Sequence, residues 1–133
     1  MTAITELNIN ETIPSVTMPP VSRLDLIKYA GASGDFNPIH TIDKDAEKAG
    51  LPGIIAHGMW TMGNLSKLFT PFMEQGFIQS FSTRFTGMVF LDDVLTLSAE
   101  LTEKQDDKLY FNVKAEKQDA TIAAKGTVIF KLY

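Results

Sequence analysis

The fold is decided by the run MWTMGNLSKLFTPF, which occupies residues 59–72. Its large apolar side chains cover more than one face of a helix, and they are Met59, Trp60, Met62, Leu65, Leu68, Phe69 and Phe72. A helix that is apolar nearly all round is buried inside a protein rather than lying on its surface. Pro71 and Gly76 are expected to end it. The sequence therefore predicts a central helix that the rest of the chain encloses.

The C-terminal half changes from a helical period to the two-residue period of strands. Apolar side chains alternate with polar ones in three runs: Leu95, Leu97, Ala99 and Leu101; Leu109, Phe111, Val113 and Ala115; and Ile122, Ala124, Val128, Phe130 and Leu132. A further strand is predicted to carry three aromatic rings on one face, those of Phe77, Phe81 and Phe85. Polar breaks at residues 105–107 and 118–120 have the length of hairpin turns. One sheet face is then apolar and the other is exposed to solvent. We therefore predict an α+β domain whose antiparallel sheet wraps around the buried helix.

Composition limits the classes of function that the chain can have. The 133 residues are expected to form one domain, spanning residues 1–133. There is no cysteine, which excludes disulfides and thiolate metal sites and, with no signal peptide in view, predicts a cytoplasmic location. No apolar run approaches the roughly 20 residues of a membrane helix, so no membrane partner is expected. The net charge of −4 argues against nucleic acid as a partner.

The first half of the chain carries cap and turn signals. Residues 13–18 alternate as in a short strand. Ser22 is placed to cap a helix that runs to about Ala32, and Asp25 can complete a capping box with it. Asp43 is expected to cap a second, short helix.

Between these two helices, residues 32–40 combine a glycine, an asparagine and a proline with two titratable side chains, in the order ASGDFNPIH. Such a run suits neither a helix interior nor a central strand, so we predict a fixed loop that turns Asp35 and His40 toward one volume. An acid and a base that face each other suit proton transfer. The alternatives are a histidine bound only to backbone and an Asx turn at Asp35.

The second histidine, His57, directly precedes the central helix, where a capping or packing role is the favoured interpretation. A metal site is not expected, because the two histidines and the scattered carboxylates lack a ligand spacing such as HExxH.

Two residues of the central helix also have a chemical interpretation. Gly58 lies at the helix start, where backbone N–H groups lack partners and an oxygen gaining negative charge could be held. A tight turn is the alternative for this glycine. Ser66 lies about two turns in, where a buried hydroxyl commonly bonds a carbonyl of its own helix. No nucleophilic triad is indicated around Ser66.

Two motifs of this chain resemble a known family. Residues 29–40, YAGASGDFNPIH, followed by residues 55–59, IAHGM, look like the hydratase motif of MaoC-like, (R)-specific enoyl-thioester hydratases. The phrases YAGASGD and AHGMWTMG, with Arg84-Phe85-Thr86 downstream, are similar to the catalytic B subunit of actinobacterial (3R)-hydroxyacyl-ACP dehydratases. The resemblance covers nearly the whole chain.

The resemblance implies a single hot-dog fold and a role for each matching residue. Asp35 and His40 match the catalytic pair that holds and activates one water. Gly58 matches the position whose backbone N–H polarises the thioester carbonyl. Ser66 matches a helix serine that supports the site, and Asn37 lies inside the motif, where a positioning role is expected. The implied reaction is hydration of a trans-2-enoyl thioester to a (3R)-hydroxyacyl thioester, or the reverse dehydration, in fatty-acid metabolism and with no cofactor.

The resemblance also implies partners. The acyl group would be carried by coenzyme A or by an acyl carrier protein, and an acidic carrier would require a basic patch, for which Lys48, Lys67 and Arg84 are candidates. A homodimer, or a heterodimer with a related hot-dog subunit, is expected. Residues 86–90, TGMVF, depart from the family's Arg-Pro turn, which leaves the acyl-chain preference open.

Three other functions compete with the hydratase. A hot-dog thioesterase would share the fold but is expected to lack the loop that carries Asp35 and His40. A non-catalytic subunit that shapes an acyl tunnel is expected to have lost one of the pair, and both are present. An acyl-binding or regulatory module would bind tightly without turnover.

Overall fold

The computed structural model describes residues 3–133 as one antiparallel sheet curled around a central helix. Its helices are α1 (Arg23–Ser33), α2 (Asp43–Lys48) and α3 (Gly58–Ser66), with 3₁₀ turns at Ile4–Glu6, Pro38–His40 and Lys67–Phe72. Its strands are β1 (Val16–Thr17), β2 (Gly76–Phe85), β3 (Thr96–Gln105), β4 (Lys108–Glu116) and β5 (Ile122–Leu132). They lie in the order β1-β3-β4-β5-β2. This is the hot-dog fold, as the sequence predicted.

The core forms where the sheet's inner face meets α3 and the turn after it. The predicted inward residues of β3 and β4 are all buried: Leu97, Ala99, Leu101, Leu109, Phe111, Val113 and Ala115. The ring of Phe69 fixes the contact, since it meets Phe111 edge-on at 5.1 Å and stacks on Phe130 at 5.9 Å between centroids. Such aromatic pairs add to the free energy gained by burying apolar area. No helix within residues 3–133 is long and apolar enough to cross a membrane.

The central helix is shorter than predicted. The α-helix ends at Ser66, and the chain continues as a 3₁₀ turn, Lys67–Phe72, that contains Pro71. Proline has no N–H to donate to the carbonyl four residues back, so a continued α-helix would lose a hydrogen bond there. Met59 is also 55% exposed, which leaves one side of the helix start open. The element is therefore buried on most of its faces rather than all of them.

Helix α1 begins as predicted. The Ser22 hydroxyl accepts from the Asp25 N–H at 3.1 Å, and the Asp25 carboxylate accepts from the Ser22 N–H at 3.4 Å. The helix ends in Gly34, whose φ of 76° is the left-handed conformation that glycine adopts without strain. The prediction for α2 was wrong in one respect: Ile42 occupies the cap position, and Asp43 is the first helical residue, paired with Arg23 at 2.8 Å.

Two strand predictions need correction. Residues 13–18 form only the two-residue strand Val16–Thr17. In β2 an irregularity in the pairing between Ile78 and Ser80 reverses the side-chain alternation, so that Ile78 and Phe81 lie opposite the buried Phe130 and Val128. Phe77 lies opposite Lys131 and therefore points to the other face. The three aromatic rings of β2 do not share one face.

Candidate active site

The loop that carries the candidate site follows helix α1, and hydrogen bonds from the loop's own side chains stabilise its conformation. After Gly34 the Asn37 N–H donates to Asp35 Oδ1 at 3.2 Å, and the Ile39 N–H donates to Asn37 Oδ1 at 3.2 Å. These Asx turns lead into the 3₁₀ turn that begins with Pro38. The Asx-turn alternative for Asp35 is therefore correct for one oxygen, Oδ1, while Oδ2 stays available for chemistry. The Asn37 side chain stabilises the backbone of this loop.

His40 faces this free oxygen. Its Nδ1 lies 2.8 Å from the carbonyl oxygen of Ile55. Because a carbonyl only accepts, Nδ1 carries the proton, and neutral His40 keeps a lone pair on Nε2. That Nε2 lies 3.8 Å from Asp35 Oδ2, too far for a direct hydrogen bond but suitable for one bridging water. His40 is buried whereas Asp35 is half exposed, so the pair has a fixed base beside a solvent-accessible acid.

His57 joins the same cluster, which the sequence analysis did not predict. Its ring stacks on that of His40 with centroids 3.8 Å apart, and Tyr29 meets it edge-on at 4.8 Å. Its Nε2 donates to the backbone carbonyl of Asp35 at 3.1 Å, and its Nδ1 has no hydrogen-bond partner among residues 3–133. Burial lowers the pKa of His57, and the neighbouring His40 lowers it further, against the opposing effect of the Asp35 carbonyl. Neutral His57 therefore contacts both the backbone of Asp35 and the ring of His40.

Gly58 is the first residue of α3, as the oxyanion hypothesis requires. Packing also favours glycine at this position, because a Cβ there would lie 3.0 Å from the ring of Phe85. Ser66 is the last residue of α3, and its hydroxyl donates to the Gly63 carbonyl at 2.5 Å. The tertiary structure thus brings His57 and Gly58 to the loop of Asp35 and His40. Ser66 is bonded within its own helix.

The three titratable side chains are close enough to be considered as metal ligands. One ligand atom from each of Asp35, His40 and His57 lies within 4.8 Å of the others. The two imidazole rings are stacked with planes only 24° apart, so their in-plane lone pairs lie in two separate, nearly parallel planes and cannot both point directly at one ion. Oδ1 of Asp35 and one nitrogen of each histidine already have backbone partners. The arrangement suits proton transfer better than tetrahedral coordination.

The site lies beside exposed apolar side chains. Phe36 follows Asp35 in the loop and is 69% exposed, Met59 follows Gly58 and is 55% exposed, and Phe85 packs on Gly58 and is 47% exposed. Large apolar groups that remain in contact with water around a loop mark a surface for another molecule.

Comparison with known proteins supports the family that the motifs indicated. Residues 6–123 match the model of the MaoC like domain. The R-hydratase PhaJ1 from Pseudomonas aeruginosa superposes with a TM-score of 0.89 and 24% identity, covering 98% of this chain and 85% of that one. The ChsH1-ChsH2 complex from Mycobacterium tuberculosis gives a TM-score of 0.85 and 18% identity, covering 95% and 98%. At these identities the two structures establish the fold.

Curated relatives are large multifunctional proteins. The fatty acid synthase subunit beta of Aspergillus oryzae is 44% identical over 78 residues, which is 56% of this chain and 4% of that protein. The chain therefore spans a small fraction of the length of such relatives.

Proposed function

Because this chain belongs to the family of MaoC-like domains, we propose that it is an (R)-specific hydratase of trans-2-enoyl thioesters, or the dehydratase that runs the same reaction backward, in fatty-acid metabolism. The observation that carries the proposal is the 3.8 Å separation of Asp35 Oδ2 and His40 Nε2. The Ile55 carbonyl holds His40 in the tautomer whose Nε2 accepts a proton. An acid and a base on either side of one water are what hydration of a conjugated double bond requires.

The steps follow from these positions. The thioester carbonyl lies at the N-terminus of α3, where the Gly58 N–H and the positive end of the helix polarise it and make C3 electrophilic. His40 Nε2 takes a proton from the bound water as its oxygen attacks C3. The proton that His40 has taken is then returned to C2 with the help of Asp35, which shares the water, so both groups end in their starting protonation states. One hydroxyl and one hydrogen are thereby added, and dehydration follows the same path in reverse.

We propose that Ser66 and Asn37 act indirectly. Asn37 accepts from the Ile39 N–H and so shapes the turn that precedes His40. Ser66 bonds the Gly63 carbonyl near the end of α3 and supports the helix whose start binds the carbonyl. We also propose that the reaction needs no cofactor, since imidazole, carboxylate and a backbone N–H supply base, acid and electrophile. Exhaustive dialysis against EDTA should leave turnover unchanged.

A second hot-dog subunit is part of the proposal. Strand β2 ends the sheet order, and no other strand within residues 3–133 pairs with its outer side. A long open edge is a template for pairing with another chain, and this strand ends in Phe85, whose ring is exposed. Sedimentation equilibrium should give about twice the chain mass of 14.7 kDa for a homodimer. A fully active monomer would contradict this part.

The reaction is tested by adding purified protein to crotonyl-CoA and following the enoyl-thioester absorbance, with chiral analysis of the product. Loss of absorbance with a (3R)-hydroxy product is expected. Release of free thiol would show a thioesterase instead and overturn the proposal. A parallel assay with the crotonyl thioester of acyl carrier protein separates the two carriers, and binding without turnover on both substrates would favour a non-catalytic subunit.

The assignment of the pair is tested by Asp35→Asn and His40→Gln. Each removes one proton-transfer group and should lower kcat by about 10² to 10⁴-fold. Glu47→Gln on the exposed side of α2 is the matched control and should keep full activity. Near-normal turnover in either site variant would remove that residue from the mechanism.

A further inference from the structure

A polar groove of about 850 Å³ lies on the outer face of the sheet, opposite to the face that packs on α3. Its walls come from strands β2, β3, β4 and β5, with Thr12 at one end. The volume is in the range of sites that hold small organic molecules. The catalytic loop contributes no residue to it, so the groove is separate from the site described above.

The sheet register aligns three cations across the floor of this groove. Arg84 of β2 lies directly opposite Lys125 of β5, and Lys125 lies directly opposite Lys114 of β4. Paired residues of neighbouring strands point to the same face, and like charges placed directly opposite are unfavourable. We call these three residues the cationic row.

Acidic partners do little to relieve this repulsion. Lys114 has a distant partner in Glu116, at 3.8 Å. Arg84 and Lys125 form no ion pair with any residue in the described part of the chain. The chain as a whole is acidic, with a net charge of −4, so an uncompensated row of positive charge stands out from its surroundings. A bound anion would stabilise such a row.

The neighbouring row carries three neutral hydrogen-bonding groups and one carboxylate. Ser82 lies opposite Thr127, Thr127 lies opposite Asn112, and Asn112 lies opposite Glu100 at the far side. Hydroxyl, amide and carboxylate groups can bind the hydroxyls of an organic molecule whose anionic part lies on the cationic row. Glu100 inside the groove disfavours a polyanion such as nucleic acid, because phosphates bound along the whole groove would come close to this carboxylate.

We propose that this groove binds a small phosphorylated organic molecule, with its phosphate on Arg84, Lys125 and Lys114 and its hydroxyl groups on the neighbouring row. The proposal goes beyond the hydratase reaction and does not depend on it. A second subunit that extends the sheet at the β2 edge would leave the outer face accessible.

The test is calorimetric titration of the full chain with ADP at low ionic strength, beside adenosine and inorganic pyrophosphate. ADP is expected to bind at least about tenfold more tightly than adenosine, since hydrogen bonds to charged phosphate are the stronger ones. Physiological salt should weaken this binding. Pyrophosphate binding as tightly as ADP would overturn the role of the neighbouring row, and no detectable ADP binding would overturn the whole proposal.

Variants at the centre of the cationic row locate the site. Lys125→Gln should weaken ADP binding by about tenfold or more, Lys125→Arg should retain it, and Lys44→Gln on α2 is the matched control with no expected effect. Equal affinities of Lys125→Gln and Lys44→Gln would place any binding elsewhere and refute the proposal. Lys125→Gln relieves like-charge contacts, so its thermal midpoint should equal or exceed that of the parent chain. Its enoyl-thioester turnover should be unchanged, which separates this site from the catalytic one.

Discussion

The imidazole of His57 lies flat against that of His40, with centroids 3.8 Å apart and planes inclined by 24°. At the same time its Nε2 is bonded to the backbone carbonyl of Asp35. His57 therefore contacts both members of the candidate pair, the His40 ring by stacking and the Asp35 backbone by a hydrogen bond. We infer that it is a positioning residue, which keeps the His40 ring and the Asp35 backbone at a constant separation.

Replacement of His57 tests this role. His57→Ala removes the stacked ring and the hydrogen bond, so His40 can tilt, and a misplacement of about 1 Å can cost up to about a hundredfold in rate. We expect kcat to fall by about ten- to a hundredfold with little change in KM. Steady-state kinetics on the crotonyl thioester gives the two parameters separately.

The conservative variant distinguishes positioning from mere packing. His57→Gln keeps an N–H group that can donate to the Asp35 carbonyl and should recover part of the lost kcat. Equal rates in His57→Ala and the parent chain would show that the stacked ring is dispensable.

The burial of His57 also predicts a pH dependence of stability. Burial lowers its pKa below the ordinary value of 6.5, so below about pH 6.5 the unfolded chain binds a proton that the folded chain resists. The free energy of unfolding should therefore decrease as the pH falls from 6.5 toward the folded-state pKa. Urea unfolding at a series of pH values measures this slope, and His57→Gln should flatten it. An identical slope in the variant would assign the effect to another group.

Asp93 is expected to be the most sensitive buried polar group outside the site. Its carboxylate accepts from Gln118 at 2.8 Å and from the Phe90 N–H at 2.7 Å, and it pairs with Lys117 at 2.9 Å. Burial opposes the charge, but these donors outweigh it and lower the pKa of Asp93. Asp93→Ala leaves Lys117, whose side chain is only 11% exposed, without its counter-ion and should cost about 3–5 kcal/mol.

Chemical denaturation of Asp93→Ala measures that loss, and the neighbouring exposed Asp92→Asn is the matched control. Since the folded-state pKa is lowered, the stabilisation is present above the ordinary value of 3.8 and is lost as the pH falls through the folded-state value. A loss in Asp93→Ala no larger than that of Asp92→Asn would show that the network contributes little.

Gly126 is required because strands β5 and β2 approach each other closely at this position. A Cβ at Gly126 would lie 1.9 Å from the backbone oxygen of Ser82, and no rotamer change relieves a collision with backbone. Gly126→Ala should therefore separate β5 from β2 and unfold the chain or lower its thermal midpoint sharply. Gly31→Ala in α1 meets nothing within 4 Å and should stabilise the helix by about 0.5–1 kcal/mol. Similar midpoints for the two variants would contradict the strand contact.

Local chemistry in the sequence determined much of this molecule. The Ser22–Asp25 capping box and the alternation of β3 and β4 were predictable because they depend on neighbours within a few residues. The loop with Asp35 and His40 was predictable for the same reason, since its Asx turns are made by its own side chains. The place of Gly58 at the helix start left both an oxyanion role and a tight turn open, and the resemblance favoured the oxyanion role.

Only the tertiary structure decided which distant groups meet. His40 and His57 stack because α1, the loop and the start of α3 converge. No spacing rule in the sequence predicts a contact between that loop and the start of α3. The sequence likewise gave no sign of the β2 irregularity that turns Phe77 outward, or of the register that aligns Arg84, Lys125 and Lys114 on three strands. Side-chain period is a property of one strand, whereas register is set by packing between strands. The sequence thus specified the acid and the base, and the fold specified their 3.8 Å separation, the ring that supports it and the charged groove on the opposite face.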